Sequence, residues 1–249
     1  MSHQLEMLER AAQMEFFEAE GYLKVDQLIQ EEELDWYLDI YNRFISGDID
    51  AGDQRSDLSG SGEERELITQ IMRPSLLHPE LAQSPLYIRV LEIARSLMGP
   101  DMDIDFDMLI NKAPHTNKET PWHQDAAYWI DMQDKRAVSC WVALDEAKLE
   151  NGCMWYVSES HKKNLRTHLQ VGDGGALKCG AQESEGTAVP LKPGEAALHQ
   201  GGTLHYSRGN STDGNRRAII INCRPAAMIQ YERDQGFDHL GGRTIRNQD

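Results

Sequence analysis

The residues best placed to do chemistry are His123 and Asp125, in the run Pro121-Trp122-His123-Gln124-Asp125. The run reads as extended chain, where positions i and i+2 share a face. An imidazole nitrogen and a carboxylate oxygen can then meet one small cation. Two ligands alone say little, so a third must come from elsewhere in the chain. The sequence has nine histidines, and the contest narrows to His199 and His205, in strand-like runs divided by a Gly201-Gly202 turn. His205 is favoured because Arg216 follows it at the start of the apolar run Arg216-Arg217-Ala218-Ile219-Ile220-Ile221. A turn of that length returns the chain antiparallel beside His205 and puts Arg216 deep near the metal. A guanidinium fork suits a carboxylate held through two parallel hydrogen bonds. Alternation turns Arg217 the other way, and His199 reads as a packed or supporting histidine.

Two histidines and one carboxylate make a facial triad with open metal positions, the arrangement of non-haem iron(II) oxygenases. The ligand types also suit a zinc hydrolase, but that explains neither Arg216 nor Trp141. Trp141, within Val138–Leu144, can wall a pocket or fill a core. Glu150-Asn151-Gly152 reads as a tight hairpin turn.

These residues must be positioned by a scaffold with a helical first third. Apolar groups at Leu5, Leu8, Ala11, Ala12 and Phe16 keep helical spacing, and Gly21 ends that helix. The acidic run Glu31-Glu32-Glu33 suits the start of a second helix reaching about Phe44. Residues 46–64 are a polar loop, either part of a lid or a solvated linker. Residues 66–98 read as mostly helical. From Asp101 short alternating runs take over, near 103–111, 120–128, 137–144, 153–158, 187–190, 195–199, 203–207 and 216–224. Strands at this spacing predict a double-stranded β-helix, a cupin-like jelly roll, with helices on one sheet. The Gly-rich stretch 172–180 reads as a surface loop. The expected organisation is a single domain over 1–249: helical support to 100, a jelly-roll core over 101–225 and a tail over 226–249.

At 249 residues the chain can bury a full core. Its 25 basic and 41 acidic residues leave a net charge of −16, which disfavours a nucleic-acid partner. Cys140, Cys153, Cys179 and Cys223 show no zinc-site spacing and read as free thiols in a reducing compartment. The N-terminus lacks the features of a signal peptide, and no apolar run is long enough to span a membrane. A cytoplasmic monomer or homodimer acting on a small molecule is expected.

Taken together, these stretches resemble the phytanoyl-CoA dioxygenase family of Fe(II)- and 2-oxoglutarate-dependent oxygenases. The resemblance runs from Phe16-Phe17 and Gly21-Tyr22-Leu23 through Met108–Lys112, Trp122–Asp125, Trp141–Asp145, Glu150–Cys153 and Ser160-His161 to Gly194-Glu195, His205, Ser207, Asn210 and Arg216-Arg217. The family's usual Gly-Ser-His is Glu159-Ser160-His161 in this chain. The resemblance implies His123, Asp125 and His205 as iron ligands. It implies Arg216 and Ser207 on the distal carboxylate of 2-oxoglutarate, with Trp141, Gln124 and Gln70 around that cosubstrate. It also implies O2 as second cosubstrate and hydroxylation with release of succinate and CO2. Related halogenases carry Gly or Ala in place of the carboxylate that Asp125 supplies, so halogenation is not expected, while desaturation and ring formation are variants. Substrate candidates are Tyr128 and Trp129 after the metal motif, and His161 and Arg166 in the next loop. No basic cluster marks a coenzyme A site. Two other readings stay open: a cupin-type metalloenzyme that needs no 2-oxoglutarate, and a non-catalytic metal- or ligand-binding relative.

Overall fold

Runs rich in β-branched and apolar residues, punctuated by Gly, Pro and Asn, form thirteen strands among the described residues. The structure, a computed structural model, describes residues 3–60, 65–171 and 176–240. The strands are β1 (Tyr22–Val25), β2 (Arg55–Asp57), β3 (Ile68–Met72), β4 (Met102–Lys112), β5 (Thr120–His123), β6 (Val138–Ala143) and β7 (Met154–Tyr156). They continue with β8 (Leu169–Val171), β9 (Ala176–Lys178), β10 (Thr187–Val189), β11 (Ala196–Gln200), β12 (His205–Ser207) and β13 (Arg216–Pro225). Seven form a large sheet in the order β1-β11-β6-β13-β4-β3-β2, and four a small sheet in the order β10-β7-β12-β5. β8 and β9 make a separate hairpin. This is the expected jelly roll.

The large sheet explains why its strands read as almost continuous apolar runs: both faces are covered. Along β13, Ile219, Ile221 and Cys223 join a core with Phe44, Tyr41, Leu86 and Val90. Those partners belong to α2 (Glu31–Ser46) and α4 (Pro85–Met98), which, with α1 (His3–Glu20) and the short α3 (Pro74–Leu77), complete the N-terminal helices. The alternate residues Arg216, Ile220 and Asn222 line a cavity between the sheets. β6 repeats the division, with Cys140 and Val142 toward the helices and Ser139 and Trp141 toward the cavity. Period-two alternation thus assigns each strand one face for stability and one for the site. α2 begins with the acidic turn foreseen: Gln30 and Glu33 form a reciprocal capping box, and Gly47 ends the helix in the left-handed conformation.

Three expectations fail. Residues 68–72, expected as helix, are β3, because Ile68, Gln70 and Met72 face the cavity side while Ile71 joins the helix core. Burial on both faces removes the alternation that marks a strand. Ala176–Lys178, expected as loop, pairs with Leu169–Val171. In the polar stretch 46–64, a 3-10 turn at Gly52–Gln54 leads into β2, while residues 61–64 lie outside those described. After Pro225 the expected tail opens as a helix, α5 (Ala226–Asp234). The Asn151-Gly152 turn holds: Gly152 has φ +91, and an added Cβ would stand 2.3 Å from the Arg208 carbonyl oxygen.

Candidate active site

β5 and β12 are neighbours in the small sheet, and His205 pairs directly with His123. Both imidazoles therefore enter the cavity side by side, with ring centroids 4.1 Å apart. Each ring is fixed by its other nitrogen. His123 Nδ1 donates to the Pro121 carbonyl at 2.7 Å and His205 Nδ1 to the Thr203 carbonyl at 2.8 Å. This sets the tautomer and leaves both Nε2 lone pairs inward, facing Asp125 Oδ1 at 3.7 and 3.5 Å. One ligand atom from each of the three residues lies within 4.8 Å of the others. Burial pushes the pKa of both histidines down, favouring the neutral imidazole that donates to a metal.

The strand ends at His123, and Asp125 opens a 3-10 turn. Gln124 between them is still extended, so alternation carries through to the carboxylate. Burial opposes the charge on Asp125, but the surrounding histidines and a hydrogen bond with His199 more than offset it and hold its pKa low. Asp125 Oδ2 accepts from Ser139 Oγ at 2.6 Å and from His199 Nε2 at 3.1 Å, while Tyr156 O–H lies 3.3 Å from His199 Nδ1. Oδ2 is thereby occupied by protein, and Oδ1 is the oxygen left for a cation.

Arg216 reaches the cavity by a route the sequence did not suggest. Its strand is not beside His205: β12 lies in the small sheet, and β13 lies in the large one between β4 and β6. Successive strands of a jelly roll cross between sheets, so the turn after Ser207 carries Arg216 to the opposite wall. It is 1% exposed and its guanidinium lies 5.1 Å from the Trp141 ring. Its Nε and Nη1 have no hydrogen-bond partner among the described residues. Burial lowers its pKa to about 10, which still leaves it charged at neutral pH. A buried cation with unsatisfied donors requires an anion. Beside it, Lys112 Nζ donates to Ser207 Oγ at 2.9 Å and to the carbonyls of Ser207 and Arg208. Ser207 Oγ is thus an acceptor toward Lys112, and its own hydrogen is free to donate into the cavity. The residues fit a divalent metal at one place and a carboxylate at another.

A profile of the phytanoyl-CoA dioxygenase (PhyH) family matches residues 17–218. The chain belongs to the phytanoyl-CoA dioxygenase family. It is 30% identical over 135 residues to phytanoyl-CoA dioxygenase domain-containing protein 1 of Mus musculus, a match covering 48% of this chain and 44% of that protein. The chain spans about half the length of the mammalian relatives of this kind that it matches. Among solved structures, EvdO2 from Micromonospora carbonacea var. aurantiaca complexed with 2-oxoglutarate superposes with a TM-score of 0.74. That match has 27% identity and covers 91% of each chain. The epimerase SnoN, in complex with Fe3+, alpha ketoglutarate and nogalamycin RO, shares the fold with a TM-score of 0.71 at 22% identity, covering 98% of this chain and 97% of that one.

Of the positions implied by the resemblance, Gln70, Trp141 and Ser207 line the same cavity as the triad and Arg216, as do the substrate candidates Tyr128 and Trp129. Gln124, His161 and Arg166 do not, and are corrected. Gln124 alternates with its two neighbours and points away. Its amide donates to the Gly202 carbonyl and accepts from Arg166 N–H, pinning two loops. His161 bonds the Glu18 carbonyl at 3.0 Å and packs over Gly21. Arg166 pairs with Glu185 and the Gly180 carbonyl. Both serve loop attachment. The residues missed were Ser139 and Asn222, although each has the parity of a recognised neighbour, Trp141 and Arg216 respectively. The C-terminal segment through Phe237–Leu240, which also lines the cavity, carried no signal.

A second acid–histidine cluster, Asp105, Glu232 and His239, sits at the cavity wall, with Glu232 and His239 among the lining residues. Arg224 and Arg233 pair with both of its carboxylates, so the charge is balanced without a cation. The cluster fastens α5 to β4. Burial disfavours the Asp105 charge, but His239 and the two arginines prevail and set its pKa at about 2. A depressed carboxylate pKa gives stability above the unfolded value that is lost as pH falls through the folded one. The shift corresponds to about 2 kcal/mol. Asp105→Asn is expected to flatten the fall of Tm between about pH 4 and about pH 2. An unchanged acid limb in thermal scans would exclude this role.

Proposed function

We propose that this chain is an Fe(II)- and 2-oxoglutarate-dependent dioxygenase that hydroxylates a small molecule. The observation that carries the reading is the buried, partly unsatisfied guanidinium of Arg216, on the wall opposite His123 and His205 of the triad. A metal site alone has no use for it, whereas a cosubstrate with two carboxylates, one on the metal and one on Arg216, needs both. When bound, iron(II), 2-oxoglutarate and O2 supply the oxidising chemistry, in which 2-oxoglutarate leaves as succinate and CO2 and a substrate C–H bond is oxidised.

The chain's own residues bind and orient. His123, His205 and Asp125 Oδ1 would hold the metal, a ligand set that suits iron(II). Arg216 takes the distal carboxylate bidentately, Ser207 O–H donates to it, and the Trp141 face keeps the guanidinium in place. Gln70 closes the cosubstrate end. Tyr128 and Trp129 form a wall where the primary substrate lies and water is excluded. Asp125 fills the position that a halide would need, which favours hydroxylation.

The test is an anaerobic titration of the Fe(II) protein with 2-oxoglutarate, followed by the metal-to-ligand charge-transfer band in the visible. The band is expected, and succinate release should follow on admitting O2. Iron binding with no band would instead favour a cupin-type enzyme independent of 2-oxoglutarate. Product analysis then separates hydroxylation from desaturation and ring closure.

A further inference from the structure

We infer that the primary substrate is a neutral or cationic molecule presenting hydroxyl or amine donors on a ring or alkyl frame, and is not a carboxylate, phosphate or coenzyme A thioester. The inference rests on the oxygenase reading above. The cavity has a volume of about 570 Å³ and runs along β13. Arg216 marks one end. Asn222 is six residues further along the strand, its backbone roughly 20 Å from that of Arg216 at the strand rise of about 3.3 Å per residue, and its side chain is linked through Ser139 to Asp125. Trp141 pairs with Ile220 and Ser139 with Asn222, so Asn222 lies beyond the cosubstrate groups Arg216, Ser207 and Trp141 along the strand and is left for the primary substrate.

Asn222 is 1% exposed and its orientation follows from its neighbour. The single hydrogen of Ser139 Oγ goes to Asp125 Oδ2. Ser139 can therefore only accept from Asn222, whose Nδ2 lies 2.8 Å away. This turns the amide nitrogen to Ser139 and leaves Oδ1 without a partner among the described residues. An unsatisfied buried acceptor on the cavity wall calls for a donor from the ligand, an O–H or N–H.

The charges agree. Among the described residues lining the cavity, Arg216 is the only lysine or arginine. Arg224 lies behind the Trp129 ring, 4.5 Å from its centroid, with its charge taken by Asp105 and Glu232. Asp53, which is exposed, and Asp238, whose Oδ1 accepts from Leu240 N–H, are also among the lining residues, and Asp53 forms no ion pair among the described residues. An anionic substrate would lose hydration with no cation besides Arg216 among the described lining residues to receive it, and with like charges at hand. Phe106, Met108 and Trp129 offer apolar walls for a ring or alkyl face.

The test uses the anaerobic Fe(II) protein with 2-oxoglutarate and four probes: cyclohexylmethylamine, cyclohexylmethanol, cyclohexanecarboxylate and coenzyme A. Binding is read by calorimetry and by the shift of the charge-transfer band. The amine and the alcohol are expected to bind at least about tenfold tighter than the carboxylate or coenzyme A. The double variant Asp53→Arg/Asp238→Arg is expected to reverse the order of amine and carboxylate. Carboxylate or coenzyme A binding as tight as the amine's overturns the inference. So does the absence of amine and alcohol binding at millimolar concentration, or an unchanged order in the double variant. Failure of the band to form at all would strike the oxygenase reading beneath it instead.

Discussion

Arg216→Met is expected to do two opposite things: raise the thermal stability of the ligand-free protein and weaken 2-oxoglutarate binding about 100-fold. Both follow from one fact. The guanidinium is fully buried, yet two of its nitrogens meet no acceptor among the described residues. In the ligand-free protein its desolvation is offset in part by the Trp141 face and the charge of Asp145. Replacing an unpaired buried charge by an apolar chain of similar length is neutral or stabilising, by about 1–3 kcal/mol. With 2-oxoglutarate bound the sign reverses, because the variant then leaves a carboxylate buried without its partner, a loss of about 2–5 kcal/mol. The measurements are a thermal scan of the ligand-free protein and the midpoint of the charge-transfer titration. Iron affinity should change little, since Arg216 makes no contact with the triad. A variant that binds 2-oxoglutarate as tightly as the native chain would remove Arg216 from its assigned role. One that merely unfolds would show that the cation is held by the protein alone.

How much of this was legible in the sequence depends on what each residue's role requires. His123 and Asp125 are close in the chain, so local alternation placed them correctly even though the strand ends between them. The identity of the second histidine rested on its spacing to Arg216, and the structure sets His205 beside His123 by direct strand pairing. The path of Arg216 was misjudged, because a turn length cannot tell a hairpin within one sheet from a crossing between two. Gln124 was misplaced for the converse reason: period-two alternation already turned it from the metal, and only resemblance drew it in. Strand β3 was hidden because burial on both faces erases the strand pattern. The Ser139–Asn222 pair joins residues 83 apart, a long-range hydrogen bond that no local pattern carries.

The same long-range contacts make the choice between His205 and His199 testable in one experiment. His205→Ala removes an Nε2 that faces Asp125 Oδ1 at 3.5 Å, whereas His199→Ala removes a donor to Oδ2 at 3.1 Å. The first leaves a metal with two protein ligands. The second leaves three, with Ser139 still holding Asp125 in place. Loss of a supporting partner of this kind weakens metal binding by about 10–100-fold. Loss of the ligand itself must exceed that. Because a bound metal stabilises the folded state in proportion to RT ln(1 + [metal]/Kd), the difference can be read without turnover. Fe(II), added anaerobically at micromolar excess, is expected to raise the Tm of the native chain, to raise that of His199→Ala only at higher concentration, and to leave His205→Ala unmoved. The reverse ranking would make His199 the third ligand. Equal, undiminished shifts in both variants would mean that the metal sits elsewhere, and the oxygenase reading would lose its centre.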